Sequence, residues 1–465
     1  MVGHPPLGPM SRGQGLEEHV GGATQEEPRG SSDGDTDGRL PRVLFVSVNP
    51  FSQTSNNGKT FASFFEGYGT DALAQLYFHR ELPSSPVCDK YFRITDEDLV
   101  RDLVRPWRVM GERVTARSSS TTPIPQRARS ALKTSRIAGL LRQCLWTQVR
   151  FENPALLEWL DEFDPEVIFF CGGDAAALYP KVTSLADRFG ARLAFYITDD
   201  YVLPLRTPNL AAHLQRWWTR RVFAQLTRRA DLVLTIGPSM SSTYERVFGL
   251  ESVPIMNMVS VPPTQPEPRR CLTDGQPLTL LYAGSLHSNR WMVLGRVADS
   301  IERLAARGVE ARLRVVGPEP TAKQLHAVHR PPNVEHGGLL TPDELGCAVA
   351  TADTLVHVEA DDTASMAVTA LSVSTKIPEY LASGRSLMAI GPRGLASIDY
   401  LYDHNVALVV DPSDPDGLDS AIESLAVRPE LHRELAARAF ALAQANHDGP
   451  RTRRVLWDHL RGLVG

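Results

Sequence analysis

The stretch STKIPEYLASGRSLMAIGP, Ser374–Pro392, decides the fold. Ser374, Thr375 and Lys376 open it as a polar loop. A short helical run follows, Gly384 breaks it, and Leu387–Ile390 is an apolar strand. Free N–H groups at a helix start, at the positive end of the helix dipole, suit a diphosphate. Lys376 adds a point charge for phosphate oxygens. Glu379, one turn in, can accept hydrogen bonds from two vicinal hydroxyls, as on a ribose. Gly384 fits the left-handed conformation needed at a helix end.

Outward from this stretch the same rhythm repeats. Before it come LTLLYAGSL (278–286), a helix predicted over Val293–Arg307, the strand ARLRVVG (311–317) and the strand TLVHVEA (354–360). Thr341, Pro342 and Glu344 occupy N-cap, N1 and N3 of a further helix, forming a capping box with proline at its favoured place. VALVVDP, a helix near Leu418–Leu425 and a long Ala/Leu/Arg helix follow. The first half reads alike: RVLFVSV (42–48), a second strand over Leu73–Phe78, EVIFFC (166–171), a helix ended by Gly190, RLAFYI (192–197), DLVLTI (231–236), a helix capped by Ser239 or Ser241, and a last strand, VPIMN (253–257). The fold class is α/β, with two Rossmann-like, doubly wound parallel sheets facing a cleft. The boundaries predicted are a disordered tail over 1–40, poor in aliphatic residues, a first domain over 41–258 with a basic insertion at 113–150, a proline-rich linker over 259–277, a second domain over 278–440, and a terminal helix over 441–465.

A chain of 465 residues is too long for one core. Its net charge of −5 gives no reason to expect nucleic acid as a partner. Five scattered cysteines match no metal spacing and read as reduced thiols in the cytoplasm. The segment 113–150 holds eight Lys or Arg residues and no Asp or Glu. It suits either an anionic membrane surface or a solvated basic face, so peripheral attachment at the inner side of a membrane is one expectation.

The pattern K-x-x-E-Y-L-A-x-G-[RK]-x-[LV]-[ML]-A, met by Lys376–Ala389, resembles the donor-binding segment of GT-B-fold glycosyltransferases, the glycosyltransferase group 1 or family 4 type. D-L-V-L-T-x-x-x-S-M resembles the end of their acceptor domain. The resemblance implies transfer of a sugar from a nucleotide-diphosphate donor to a glycan, lipid-linked or small-molecule acceptor, with retention of configuration and no metal cofactor. It implies that Glu379 binds the ribose, that Gly284, Ser285, Arg290, Ser374, Thr375 and Lys376 surround the diphosphate, and that the backbone near Leu339 meets the base. Asn56, Asn57 and Gly58 stand where a cleft-facing glycine turn follows the first strand. Gly58–Thr60 is not a P-loop, because Gln53 replaces the earlier glycine. Asp199 and Asp200 end a strand where relatives carry a group near the reacting sugar, and so are catalytic candidates, with a turn or helix-cap role as the alternative. Two positions depart from the pattern: Ser285 replaces an arginine, and Leu371 stands where a second glutamate is expected. Glu359, Asp361 and Asp362 are candidates to substitute for it. A run of Asp-x-Asp metal motifs occurs in the tail, at Asp33–Gly38. A sugar-nucleotide epimerase and a non-catalytic nucleotide-sugar-binding protein are the competing readings.

Overall fold

Parallel strands covered on both faces must be apolar throughout. Val43–Ser47 (β1) meets that condition and is buried along its whole length. In the computed structural model it lies between Leu73–Tyr77 (β2) and Val167–Cys171 (β5), parallel to both. The structure describes residues 39–53, 56–104, 110–115, 146–147, 153–203, 210–267 and 276–465. Most of the expected tail, 1–38, and most of the basic insertion, 116–145, lie outside the described residues.

Lys90–Arg93 (β3), Glu112–Val114 (β4), Arg192–Ile197 (β6), Leu232–Thr235 (β7) and Val253–Pro254 (β8) complete the first sheet among the described residues. Its order is β4-β3-β2-β1-β5-β6-β7-β8. Only β4 runs antiparallel to its neighbour. The second sheet is built from Leu278–Ala283 (β9), Ala311–Val316 (β10), Val334–His336 (β11), Thr354–Val358 (β12), Ser386–Ile390 (β13) and Leu408–Val410 (β14), in the order β11-β10-β9-β12-β13-β14. Strand order reverses between β1 and β5, and again between β9 and β12. In such sheets the crevice beyond the strands' carboxyl ends at these reversals is where ligands sit.

Six helices matter for the site: α1 (Asn56–Phe64), α2 (Leu210–Arg229), α3 (Pro238–Phe248), α4 (Arg290–Ala306), α5 (Lys376–Leu381) and α6 (Gly449–Arg461). Aromatic rings fill the first core, with Phe45 against Phe51, Phe65 and Phe169 at centroid distances of 5.1–5.6 Å. Before α6, the helix Pro429–Asn446 buries Ala439 and Ala443 with Leu387 and Ala389 of β13. The chain then crosses, and α6 lies on the first half: Trp457 Nε1 donates to Phe64 O at 2.9 Å and Arg453 Nη1 to Glu66 at 2.7 Å. Residues Leu40–Gly465 form one compact unit.

Several elements differ from the sequence reading. Helix α3 is capped by Gly237, not by Ser239 or Ser241. Pro238 needs no donor satisfied and prefers the first helical position, so the helix starts before either serine. Ser241 Oγ instead meets the Oγ of Ser252 at 2.9 Å. The strand expected over Val253–Asn257 stops at Pro254, which cannot donate to the ladder. Helix α4 starts at Arg290, three residues early, because Asn289 turns the chain with φ 56°. The expected capping box is formed, with Thr341 Oγ1 accepting from Glu344 N and Glu344 accepting from Thr341 N.

Candidate functional site

The loop after β1 is shaped by a buried side chain from the next strand. Gln75 Oε1 accepts from Phe51 N at 2.9 Å, and its Nε2 donates to Ser47 Oγ at 2.9 Å and Asn49 O at 3.1 Å. The chain then folds so tightly that a Cβ on Gly58 would lie 2.5 Å from Pro50 O and 2.7 Å from Ser52 Cβ. Only glycine fits. Asn56 opens α1, and Asn57 and Thr60 reach a cavity of about 260 Å³ between the two sheets.

The second sheet supplies the opposite wall. Tyr380 on α5 brackets the end of β9, donating to Ala283 O and accepting from Ala283 N, both at 3.2 Å. Lys376 thereby lands over the Tyr282 ring, 5.5 Å from its centre. Its Nζ is so close to Gly284 that a Cβ there would sit 1.8 Å away. The lysine amine makes no ion pair and no side-chain hydrogen bond among the described residues. Burial, helped by the neighbouring Arg290 charge, pushes it down from 10.5 to about 8.

Arg290 is committed differently. Its Nη2 donates to Glu359 Oε2 at 3.0 Å and its Nε to Val358 O at 3.1 Å. His357 Nε2 stands 3.2 Å from the other oxygen of Glu359. Burial opposes ionisation of Glu359, but His357 and Arg290 outweigh it and hold the carboxyl below its usual range. Glu359, not Asp361 or Asp362, therefore lines the cavity. Asp361 pairs with Arg296, and Asp362 caps the helix Thr363–Thr369.

The two adjacent aspartates separate. Asp199 lines the cavity, and its Oδ1 accepts from Ser372 Oγ of the other half at 2.8 Å. Asp200 is buried beneath the loop. Its Oδ1 accepts from Val202 N, Leu203 N and Tyr244 OH at 3.1, 3.0 and 2.8 Å, and Arg216 approaches Oδ2 at 3.4 Å. That is the turn role, and it leaves Asp200 no direction toward the cavity. Ser285, Ser374 and Thr375 line the cavity, but Ser374 N is already taken by Ser397 Oγ at 3.0 Å. Glu379 sits half exposed at the cleft rim, paired with Lys59 of α1 at 2.8 Å. Leu339 is exposed and outside the cavity lining.

The fold has counterparts among solved structures. HepE of Anabaena, solved with UDP and glucose, matches with a TM-score of 0.58 and 12% identity over 90% of this chain and 99% of its own. Sucrose-phosphate synthase of Thermosynechococcus elongatus matches at 0.58 and 14% over 91% and 98%. An α,α-trehalose-phosphate synthase of Burkholderia xenovorans, solved with glucose-6-phosphate, matches at 0.55 and 12% over 91% and 100%. The chain has the GT-B fold. No family model and no curated protein matches the sequence itself.

Within this GT-B cleft, sequence reasoning missed four contributors. Lys59 was visible only as part of a rejected P-loop. Ser372 and His357 are single polar residues in apolar surroundings. His357 sits on β12 where the apolar run TLVHVEA breaks at its carboxyl end, and that break was a usable signal. Asn257 lines the cavity buried, with neither amide atom partnered among the described residues. Its position beyond β8 made it look like strand.

Proposed function

We propose that the chain is a glycosyltransferase, of hexosyltransferase type, that binds a nucleotide-diphosphate sugar in the GT-B cleft and passes the sugar to an acceptor hydroxyl with retention of configuration. The observation that carries this reading is the Lys376 ammonium. It is a partly buried cation with an open side on the cavity, beside a loop and a strand end that leave room for phosphate oxygens. A cation held at such cost without an anion implies one that arrives from solution.

In this reading Lys376 takes the charge that develops on the leaving diphosphate, and Arg290 adds to the field from its anchored position beside Glu359. No metal is needed for that neutralisation. Glu379 accepts from the ribose hydroxyls at the rim, exchanging its contact with Lys59 for them. Asp199, oriented by Ser372, faces the sugar or the acceptor. A cavity of about 260 Å³ holds a sugar ring and phosphates better than a whole nucleotide sugar, so the nucleoside extends along the rim toward Glu379. The solved GT-B proteins bound to UDP, glucose or glucose-6-phosphate support sugars as both donor and acceptor classes; the acceptor here is a glycan, a lipid-linked sugar or a small molecule.

The His357–Glu359 contact is the one observation that favours an epimerase, since such an enzyme needs a histidine and a carboxylate near its sugar. Arg290 already occupies that carboxylate, which argues against its use as a base.

Thermal-shift screening of UDP, GDP, ADP and TDP comes first, since a ligand at about a hundred times its dissociation constant adds about 2.7 kcal/mol. The sugar nucleotides of the stabilising base are then assayed for transfer and hydrolysis with EDTA present. Turnover with EDTA is the expected result, with the α-configured donor giving an α-linked product. Loss of turnover in chelator, restored by Mg²⁺ or Mn²⁺, overturns the metal-independent reading. Epimerised donor without transfer overturns the transferase itself.

A further inference from the structure

Helix α2 reads LAAHLQRWWTRRVFAQLTRR, with five arginines and no acidic residue. The arginines divide by direction. Arg216 turns inward to Asp200, its Nη1 donating to the backbone oxygen at 3.1 Å. Arg229 pairs with Asp187 at 2.7 Å and Asp231 at 3.1 Å. The outward face carries Leu214, Trp217, Arg221, Ala224 and Arg228, spaced three and four apart and so aligned along one stripe. Leu214 is 59% and Trp217 62% exposed, values unusual for residues of this size. Arg221 and Arg228 are exposed and have no ion pair among the described residues. Arg220 flanks the stripe, stacked 5.1 Å over Phe248 of α3. There α3 exposes Arg246 and Val247, with one carboxylate, Glu245.

A protein seam would continue the stripe with apolar residues and would desolvate whatever charges it met. Here the stripe continues with guanidinium groups. A bilayer surface accepts that order. Indole rings and a leucine settle at the boundary of headgroups and acyl chains, while arginines reach lipid phosphates on stems long enough to stay hydrated. We infer that α2 is a docking surface for anionic phospholipid, with Trp217 and Leu214 entering the interface and Arg220, Arg221 and Arg228 meeting headgroup phosphates. Because Arg216 ties the same helix to Asp200, docking would hold the Asp199 loop near the membrane.

The full chain is sedimented with vesicles of phosphatidylcholine alone and of phosphatidylcholine mixed with phosphatidylglycerol. Binding to the anionic vesicles only, lost as salt rises, is expected. Each exposed cation near such a surface contributes about fivefold to partitioning, so Arg221→Gln with Arg228→Gln should weaken it roughly 25-fold. Brominated lipid should quench part of the tryptophan fluorescence in the parent, and that quenching should vanish in Trp217→Ser although six of the seven tryptophans remain. These side chains are exposed, so thermal midpoints should not change. Equal binding to both vesicles, binding to neither, quenching that survives Trp217→Ser, or undiminished binding of the double glutamine variant overturns the assignment; the last would move it to the 113–150 segment. A dimer that Trp217→Ser dissolves, without vesicle binding, would replace the lipid by a second copy.

Discussion

Replacing Lys376 by methionine should make the ligand-free protein more stable and its hold on a nucleoside diphosphate weaker. Methionine keeps the length of the stem, so the space beside Tyr282 and Gly284 stays filled. The magnitude follows from the burial of the amine, which lowers it from 10.5 to about 8. At about 1.4 kcal/mol per pKa unit, carrying that charge costs the folded state roughly 3 kcal/mol at pH 7. The contact over Tyr282 returns about 0.5–1 kcal/mol of it. The sign depends on pH. Between pH 8 and pH 10.5 the folded chain holds fewer protons at this site than the unfolded chain, so stability rises with pH there. The penalty is complete below pH 8 and gone above 10.5. Lys376→Met should therefore be the more stable protein by about 2 kcal/mol at pH 7, and the two should converge as the pH nears 10.5.

Binding has the opposite dependence. Phosphate oxygens need the ammonium, and from pH 7 to pH 9 the charged fraction falls about tenfold for a group titrating near 8. Calorimetry with the nucleoside diphosphate that binds, over that range, should show a tenfold loss in the parent beyond whatever Lys376→Met shows, since the variant retains only the titration of the ligand. The nucleoside alone should show no difference. A variant that is less stable at pH 7, or that keeps the parent's slope, would refute the assignment of Lys376 as a free cation awaiting an anion.

Glu379→Gln should weaken nucleoside and nucleoside diphosphate alike by roughly tenfold to a hundredfold, because a hydrogen bond to a charged group is worth about 1.5–3 kcal/mol and both ligands carry the ribose. Lys59→Met should leave both affinities within about fivefold, since an exposed pair contributes at most about 1 kcal/mol; any change should be toward tighter binding, measured in the same calorimeter. Asp200→Asn should lower stability by roughly 2–3 kcal/mol in urea denaturation, through the loss of charge-assisted bonds to Tyr244, Arg216 and two amides. Asp199→Asn should leave stability nearly unchanged and reduce turnover at saturating donor. The reverse pattern would exchange the roles of the two aspartates.

Much of the fold was legible because buried parallel strands are apolar runs, and eleven of these stand out in the sequence between helices of ordinary length. The strands that escaped are short and lie at or next to sheet edges. KYFR of β3, second from the edge of its sheet, and VEH of β11, at the edge of the other, carry charged residues and so do not announce themselves. The candidate site was legible where local chemistry marks it, as at Gly58, Gly284 and the segment from Lys376 to Glu379. It was not legible where a role depends on direction. Asp199 and Asp200 are neighbours in sequence, yet one faces the cavity and the other caps a turn. Arg290 matches a phosphate-binding position, yet two of its nitrogens are held by Val358 and Glu359, a contact across 69 residues that no local pattern encodes.

The departure at Leu371 has a physical cause in the same geometry. The loop that leads into α5 does not stay within the second half. Leu371 packs against the core of the first sheet, and Ser372 Oγ reaches Asp199 Oδ1 at 2.8 Å and Thr198 O at 3.2 Å. Ser397 Oγ then donates to Ser372 O at 3.2 Å and accepts from Ser374 N at 3.0 Å. A chain of hydrogen bonds thus joins the catalytic candidate Asp199 on one side of the cleft to Ser374, in the loop that leads into α5, on the other. A glutamate at 371 would place a charge against the apolar first core, at several kcal/mol if left unpaired. The apolar residue at 371 and the serine beside it exchange a possible sugar contact for an anchor across the cleft. That leaves Glu359, already ionised by Arg290 and His357, as the carboxylate on this wall of the cavity, and it fixes the Lys376 loop to the half of the protein that carries Asp199.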